Sequence, residues 1–451
     1  MNDTIAAVST TMGVGAISII RVSGKTAINI VNKIFKGKNL NQVQSHTIHY
    51  GYIVENEEVI DEVLISIMKA PKTFTTEDTV EINCHGGIST TNKVLELVLN
   101  NGARIAEPGE FTKRAFLNGR IDLTQAESIM DLVNSKNESK RKVAISGLKG
   151  HVSNIIKDLR HEILELLASI EVNIDYPEYE EYEEITIQKI KPKLLEIQER
   201  LVKIINESEN GKILSSGIKT VIIGKPNVGK SSILNKLLNE EKAIVTDIEG
   251  TTRDVVEGNI TINGIMLNII DTAGIRETTD IVEKIGVEKS LKLIHEADLV
   301  IIVLNNNDQL SQEDKRIIEA CKEKKSIIVI NKSDLEAKID VEQISNKNII
   351  YTNTISSTGI DNLKEKIIDL FNLSELKQND YAYLNNIRQI SLAKDAMNIL
   401  KEAEKGIENE IPVDMIELDI KNAWEKLGEI IGETYNEELI DQLFSQFCLG
   451  K

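Results

Sequence analysis

The chain has 451 residues, a net charge of −18 and a pI near 5.0. This length predicts several domains with ample core, and the acidic balance argues against a generally basic nucleic-acid-binding protein. Three widely separated cysteines without metal-ligand spacing are typical of a reducing compartment. Because no signal-peptide pattern or apolar run of membrane length is present, we expect a soluble, cytoplasmic protein without a membrane partner.

Residues 1–118 alternate strand-like and helix-like segments, which predicts an α+β domain. The segments with strand character are 15–22, 46–54, 59–68 and 79–83. The polar residues 55–58 separate the second of these segments from the third, which predicts a β-hairpin. Residues 26–35 have the apolar spacing of an amphipathic helix.

The pattern becomes that of long helices from residue 119, with few glycines or prolines to interrupt it. An acidic, tyrosine-bearing segment at 175–184 predicts a loop or the start of a helix. Residues 216–375 alternate strands and helices, which is typical of a doubly wound nucleotide-binding domain. The sequence therefore predicts an all-α domain in two parts, 119–215 and 376–451, with an α/β domain inserted between them.

Residues 224–231 match the phosphate-binding P-loop G-x-x-x-x-G-K-S. A β-rich run at 219–223 precedes them and a helical pattern at 232–238 follows, which is the order that the motif requires. In such a loop, backbone amides surround phosphate oxygens at a helix N-terminus. We expect Lys230 to reach the β- and γ-phosphates and the Ser231 hydroxyl to bind Mg²⁺.

Further nucleotide motifs follow apolar strands downstream of the P-loop. Residues 271–274 read D-T-A-G, in which Asp271 can hold Mg²⁺ through a water and the Gly274 amide can approach a γ-phosphate. Residues 331–334 read N-K-S-D, and the Asp334 carboxylate can accept two hydrogen bonds from guanine N1 and N2. Adenine lacks the exocyclic donor. With a loop at 355–359 suited to lie under guanine O6, the motifs predict a guanine-nucleotide site.

One residue that many GTPases use for hydrolysis is absent from this sequence. Signalling GTPases often place a glutamine directly after D-x-x-G to orient the attacking water, whereas this chain has Ile275. Its side chain cannot form a hydrogen bond, so hydrolysis requires another polar group, another charge, or both. The loop 250–254 predicts a switch segment, in which Thr252 completes the Mg²⁺ shell when the γ-phosphate is bound.

Segments over the whole chain resemble the MnmE (TrmE) family of tRNA modification GTPases. Besides the nucleotide motifs, these segments are 3–7, 83–87, 108–112, 114–119 and 447–451. The last of them has a Cys-x-Gly-Lys ending, in which Leu449 stands where a β-branched residue is expected. The resemblance implies a homodimer joined through N-terminal domains that bind a reduced folate, either 5,10-methylene- or 5-formyl-tetrahydrofolate.

The resemblance also implies the reaction. An FAD-containing partner of the MnmG (GidA) type joins such a GTPase in a heterotetramer or larger complex. Together they add an aminomethyl-type (carboxymethylaminomethyl) group to the wobble uridine of certain tRNAs, with the folate as one-carbon donor.

A K⁺ ion is implied as the charge that replaces the missing glutamine. It would neutralise negative charge developing on the phosphates, as an arginine finger does elsewhere. The implied K⁺ ligands are Asn227, Thr246, Ile248 and Thr251. Glu283, in the second switch, is implied to position the water through a bridging water or to act as a base. The implied catalytic residues are Glu283, Lys230 and Thr252.

The complete set of implied binding residues follows from matching the motifs. The GTP-binding residues are Asn227, Val228, Gly229, Lys230, Ser231, Ser232, Thr246, Asp247, Ile248, Glu249, Gly250, Thr251, Thr252, Asp271, Thr272, Ala273, Gly274, Asn331, Lys332, Asp334, Ser356 and Ser357. The folate-binding residues are Arg21, Glu81, Arg120 and Lys451. The resemblance places the thiol of Cys448 near the folate, either for chemistry or for packing.

A second function is compatible with the same nucleotide motifs. Ribosome-assembly and switch GTPases share them, including an apolar residue after D-x-x-G, and use hydrolysis only to time binding. They usually carry a basic RNA-binding module, which the acidic helical C-terminal part of this chain does not show. A basic cluster between residues 136 and 149 is either a nucleic-acid patch or a solvated helix face.

Overall fold

The computed structural model describes residues 3–135, 138–175, 181–239, 258–262, 265–270, 293–344, 348–371, 383–435 and 437–450. Contacts between backbone positions divide the chain into two compact units. The first unit consists of Met1–Asn134, Ala144–Leu201 and Ile387–Lys451, and the second consists of Ser135–Val143 and Val202–Asn386.

The first unit contains a seven-stranded sheet in the order β3-β4-β5-β6-β2-β1-β7. Its strands are β1 (Ile5–Val8), β2 (Ile17–Ser23), β3 (Phe35–Lys36), β4 (Thr47–Glu55), β5 (Glu58–Met68), β6 (Thr79–His85) and β7 (Arg104–Ile105). Neighbouring strands are antiparallel except for β1 and β7, which run parallel. The predicted hairpin is confirmed as β4 and β5, with Asn56 and Glu57 both at positive φ in the turn. Two-residue turns with that geometry match the twist of paired strands.

Helices α1 (Ala27–Ile34) and α2 (Ile88–Asn100) cover one face of this sheet. Their apolar residues, such as Val31 and Val98, are fully buried with sheet residues such as Ile65 and Ile82. Helical spacing on one side and strand alternation on the other therefore produce a single core between two layers.

The remaining helices of the first unit range from 8 to 25 residues in length. They are α3 (Glu110–Leu117), α4 (Leu123–Val133), α6 (His151–Asp175), α11 (Ile387–Glu408), α12 (Val413–Ile431) and α13 (Glu437–Ser445), while α5 (Glu138–Leu148) and α7 (Glu181–Ser216) have residues in both units. Asp122 begins α4 with a capping box, because its side chain and that of Gln125 each bond to the other's backbone amide. Packing of α12 against α6 and α11 forms the centre of the helical part.

The second unit contains a six-stranded sheet in the order β13-β12-β11-β8-β10-β9. Its strands are β8 (Ile218–Ile223), β9 (Gly258–Ile262), β10 (Ile265–Ile269), β11 (Leu299–Asn305), β12 (Ser326–Asn331) and β13 (Ile349–Thr352). All pairs are parallel except β9 with β10. Its helices are α8 (Lys230–Asn239), α9 (Gln312–Ala320) and α10 (Ile360–Leu370), and apolar clusters bury both faces of the central strands.

These elements confirm the predicted fold class, which combines an α+β part, an all-α part and an α/β part. In the acidic segment, Asp175 ends α6 and Glu181 begins α7, and residues 176–180 lie outside the described range. In the basic cluster, Arg141 pairs with Glu138 one helical turn away, as on a solvated helix face. Across the described residues, no helix combines the length and apolar character needed to cross a membrane.

Candidate functional site

Three of the predicted nucleotide motifs follow parallel strands of the second unit's sheet. The P-loop begins directly after β8, the N-K-S-D motif begins at the last residue of β12, and the loop 355–359 follows β13. Because the carboxyl ends of parallel strands meet at one edge of a sheet, all three motifs lie at the same edge.

The ammonium group of Lys230 lies inside the P-loop. Its Nζ atom donates hydrogen bonds to the carbonyl oxygens of Gly224 and Lys225, both at 2.7 Å. Burial lowers the pKa of Lys230 from its ordinary value, because the charged form loses solvation. A bound phosphate would place a negative charge beside this partly buried ammonium group. The loop is therefore suited to an anionic ligand.

Asn331 connects the base-recognition motif to the P-loop. Its Nδ2 atom donates to the carbonyl oxygen of Val228 at 2.9 Å, and its Oδ1 atom accepts from Thr352 Oγ1 at 3.1 Å. A Cβ atom on Gly229 would lie 2.1 Å from Asn331 Nδ2, so only glycine permits this approach. The side chain of Asp334 is exposed and remains available for a base.

The loop 355–359 is tied to the helix that follows the P-loop. Lys236, on α8, donates from Nζ to Ser357 Oγ at 2.8 Å, and Ser357 has a left-handed backbone with φ of 61°. The neighbouring Ser356 hydroxyl lies 2.8 Å from that of Thr358. The structure thus brings Ser356 and Ser357 to the same edge as Lys230 and Asn331.

The other described members of the predicted set occupy the loop and the start of α8. Asn227 is exposed, has a φ of 63°, and makes no side-chain hydrogen bond to a described residue. Ser231 and Ser232 are exposed in the first turn of α8, where a hydroxyl can meet a metal ion. Lys332 also adopts a left-handed backbone, with φ of 59°.

Several predicted residues lie outside the described part of the chain. They are Thr246, Asp247, Ile248, Glu249, Gly250, Thr251, Thr252, Asp271, Thr272, Ala273, Gly274, Glu283 and Lys451. Their roles stay predictions.

Two of the predicted folate residues form an ion pair on the sheet of the first unit. Arg21 and Glu81 face each other in the register of β2 and β6, and Arg21 Nη2 lies 2.8 Å from Glu81 Oε1. Arg21 Nη1 also donates to the carbonyl oxygen of Gly450 at 3.3 Å, and Ser9 Oγ donates to the same oxygen at 3.1 Å. The residue before Lys451 is therefore held beside this pair.

Arg120 has different partners. Its guanidinium lies over the Phe74 ring at 4.9 Å, and its Nη1 atom donates to the Phe74 carbonyl oxygen at 3.0 Å. Both residues line a cavity of about 540 Å³, together with Lys72, Thr73 and Asn118. Small ligands commonly bind in cavities of this size.

Cys448 is exposed, and its carbonyl oxygen accepts a hydrogen bond from the Gly109 amide at 3.3 Å. The tail is therefore fixed to the first unit both here and at Gly450.

Lys236 and Thr352 are two site residues that the sequence did not indicate. Thr352 lies at the end of a short strand and Lys236 in the middle of a helix, where such side chains are usually unremarkable. Only the register of the strands and the folding of loop 355–359 bring them to the motifs. The one usable signal was the position of Thr352 just before that loop.

Comparison with known protein families assigns the N-terminal part and the rest of the chain to one family. The description "GTP-binding protein TrmE N-terminus" matches residues 4–120, and "MnmE helical domain" matches residues 123–448. The tRNA modification GTPase MnmE of Bacillus licheniformis is 54% identical over 458 residues, and the alignment covers 100% of each chain. This chain belongs to the MnmE family.

A second curated relative agrees with this membership. The protein of the same name from Bacillus subtilis is 52% identical over 458 residues, with 100% of each chain covered. The solved G domain of the T. maritima FeoB iron transporter is 29% identical over 34% of this chain and 98% of its own, with a TM-score of 0.25. As a member of the MnmE family, the chain is a tRNA modification GTPase, which favours that prediction over a ribosome-assembly or switch GTPase.

Proposed function

We propose that this chain hydrolyses GTP with Mg²⁺ and K⁺, and that the hydrolysis serves one-carbon chemistry on the wobble uridine of tRNA. The observation that carries the nucleotide part is the bond from Asn331 Nδ2 to the Val228 carbonyl oxygen. It joins the phosphate-binding loop to the guanine-recognition motif, as a site that binds both ends of one nucleotide requires. Family membership supports the tRNA part.

Within the proposed site, each described residue has a stated task. Lys230 binds the β- and γ-phosphates, whose charged oxygens replace its two carbonyl partners and offset the burial that lowers its pKa. The Ser231 hydroxyl is an oxygen ligand of the kind that Mg²⁺ prefers. Asp334 accepts the N1 and N2 hydrogens of guanine.

The described loop also fits a K⁺ ion. The Asn227 carboxamide is exposed at the loop and makes no bond to a described side chain, so its oxygen can coordinate a cation. A bound K⁺ supplies positive charge to the phosphates. Thr246, Ile248, Thr251 and Thr252 are proposed to complete the metal sites, and Glu283 to position the water.

Cation replacement tests this part of the proposal. Because Na⁺ is smaller and binds such oxygen sites differently, we expect GTP turnover to fall sharply when K⁺ is exchanged for Na⁺ at constant ionic strength. Asn227→Ala should lose most of the K⁺ stimulation, while Asn235→Ala, an exposed asparagine on α8, should keep it. Equal turnover in the two salts would reject K⁺ assistance.

We further propose that the first unit binds a reduced folate, 5,10-methylene- or 5-formyl-tetrahydrofolate. Arg21 and Arg120 match the folate carboxylates in charge, Glu81 can accept paired donors of the pterin ring, and the cavity beside Arg120 has the volume of a small-ligand site. Lys451 and the Cys448 thiol are proposed to lie near the ligand. Domain limits of 1–118, 119–215, 216–375 and 376–451 belong to the same proposal.

Equilibrium binding of 5-formyl-tetrahydrofolate to the purified chain tests the folate site. Arg120→Ala is expected to weaken binding at least tenfold, since a charge-assisted hydrogen bond contributes about 1.5–3 kcal/mol. Lys113→Ala, which removes another cation of the first unit that pairs with Asp441, is the control. No binding by the unaltered chain at high micromolar ligand would reject the site.

The proposed assembly is a cytoplasmic homodimer that acts with an FAD-containing MnmG (GidA)-type protein on tRNA, in a heterotetramer or larger complex. Family membership supports it. Modification of tRNA by the purified pair with GTP and folate, and its loss when either protein is omitted, is the decisive measurement.

A further inference from the structure

Asn306 is a buried asparagine that none of the nucleotide motifs contains. It directly follows β11, whose last residue, Asn305, pairs with Asn331 in the register of the parallel strands. Only 4% of its surface is exposed. Its Oδ1 atom has no hydrogen-bond partner among the described residues, so the bonds made by its Nδ2 atom and its backbone indicate its task.

Asn306 bonds to the base-recognition loop on both sides of Asp334. Its backbone amide donates to the Asn331 carbonyl oxygen at 2.9 Å, at the start of the motif. Its side-chain Nδ2 donates to the Leu335 carbonyl oxygen at 2.8 Å, one residue beyond Asp334. Its own carbonyl oxygen accepts from the amide of Lys338 at 2.9 Å, further along the loop.

Packing of side chains cannot fix this loop, because residues 333–338 are all exposed. Two other hydrogen bonds hold its backbone: Leu335 donates to Lys332 within the loop at 3.0 Å, and Ser333 donates to the Thr352 carbonyl oxygen at 3.1 Å. Both of these bonds hold loop residues at or before Leu335, and neither uses the Leu335 carbonyl oxygen. The Nδ2 atom of Asn306 is the side-chain donor that fixes the backbone on the far side of Asp334.

We infer that Asn306 is a positioning residue for guanine recognition, which sets the Asp334 carboxylate at the height and angle needed to accept both guanine hydrogens. The inference rests on the proposed guanine-nucleotide function. Two hydrogen bonds to one carboxylate require both of its oxygens to be aligned, so a small rotation of the loop affects the base contact more than the phosphate contacts.

The ratio of affinities for GDP and IDP measures this alignment. IDP lacks the 2-amino group, so the ratio reports the second hydrogen bond to Asp334 and does not depend on the fraction of folded protein. Affinities are measured by displacement of a fluorescent GDP analogue from the full chain in Mg²⁺ buffer. Asn306→Ala is expected to weaken GDP binding about tenfold and to weaken IDP binding less, so that the ratio falls several-fold.

Matched variants separate positioning from a general loss of structure. Asn305→Ala removes a neighbouring asparagine whose side chain, among the described residues, bonds to Asp308 and to the amide of Asn307, and it should keep the ratio of the unaltered chain. In an Asp334→Ala background, Asn306→Ala should have little further effect on the ratio, because Asn306 acts through Asp334. If Asn306→Ala does not fold, Asn306→Ser, which retains a small donor, is expected to lower the ratio partially.

The outcomes distinguish the inference from the function on which it rests. A folded Asn306 variant with an unchanged GDP-to-IDP ratio, or an undiminished effect of Asn306→Ala without Asp334, overturns the positioning role alone. An unaltered chain that does not prefer GDP to IDP overturns the proposed guanine site itself.

Discussion

At the scale of single residues, Arg114 carries the most deeply buried charge among the described residues of the first unit. Its guanidinium is 1% exposed and lies 2.9 Å from Asp3, 3.2 Å from Glu77 and 3.0 Å from Glu110. A buried cation is tolerated only when its donors are occupied, so this side chain connects α3 to the segments just before β1 and β6, which carry Asp3 and Glu77.

Removing that side chain should destabilise the first unit strongly. Arg114→Met takes the cation from the mostly buried Glu77, while Asp3 and Glu110 keep Arg104, so the free energy of unfolding is expected to fall by about 3 kcal/mol. Hydrogen exchange of backbone amides in β1 and α3 measures this loss of stability locally. Arg141→Met, which removes an exposed arginine whose described partner is Glu138 of its own helix, should have little effect, and equal effects of the two variants would contradict the role of burial.

His85 and Asp61 provide a pH-dependent contact in the same unit. Asp61 accepts from both the backbone amide and the Nδ1 atom of His85, at 2.8 and 2.7 Å. The hydrogen bond to Asp61, and then its negative charge, raise the pKa of His85 above the ordinary 6.5. The pair therefore stabilises the fold fully below about pH 6.5, and this contribution is lost as the pH rises through the raised pKa.

Replacement of the carboxylate should reverse this shift. Asp61→Asn is expected to lower the pKa of His85 towards its ordinary value, because the amide carries no charge. An NMR titration of the His85 ring protons, in the unaltered chain and in Asp61→Asn, measures the change in pKa. An unchanged titration of His85 would show that Asp61 does not hold its proton.

At the scale of elements, the P-loop depends on one glycine for its contact with β12. Gly229 has a φ of 102° and faces Asn331 Nδ2. Gly229→Ala adds strain of about 1–3 kcal/mol and a side chain with no room, so we expect GDP affinity to fall more than tenfold. Fluorescence titration with a GDP analogue measures the loss.

A second glycine controls for the backbone strain. Gly119 also has a positive φ, of 71°, but a Cβ atom there would meet nothing within 4 Å. Gly119→Ala should therefore leave GDP affinity unchanged. If Gly229→Ala bound GDP as tightly as the unaltered chain, the bond between Asn331 and Val228 would not be needed for GDP binding.

Elements that are determined by residues close together in the sequence were predictable from it. The hairpin of β4 and β5 follows from two apolar runs around residues 55–58, and the P-loop follows from glycines at fixed spacing. Arg114 looked like any cation on an amphipathic helix, and Asn306 like one of three successive asparagines. Apart from Glu110, the partners named for them are separated from them by many residues, so only the register of the sheets and the docking of α3 reveal those contacts.

At the scale of the whole molecule, the two proposed ligand sites lie in separate units. The nucleotide motifs all lie in the second unit, and the pair of Arg21 and Glu81 lies in the first. A ligand that binds only folded protein stabilises the unit that binds it, by about 2.7 kcal/mol at a concentration of 100 times Kd.

Calorimetry should therefore resolve transitions that respond independently. GDP is expected to raise the melting temperature of the second unit alone, and 5-formyl-tetrahydrofolate that of the first unit alone. Hydrogen exchange in β11 and β2 assigns the transitions. A single transition raised equally by both ligands would mean that the units unfold as one.

The contact between Ser9 and Gly450 also has a consequence for the order of events during synthesis. The two residues are 441 positions apart, and Gly450 fits against the Val8 carbonyl oxygen only because it has no Cβ atom. At about 5–20 residues per second, a ribosome needs roughly 20–90 s to make the chain between them. We expect the second unit to have emerged and folded before then, so that nucleotide can bind to a nascent chain whose Arg21 still lacks its neighbour from the tail.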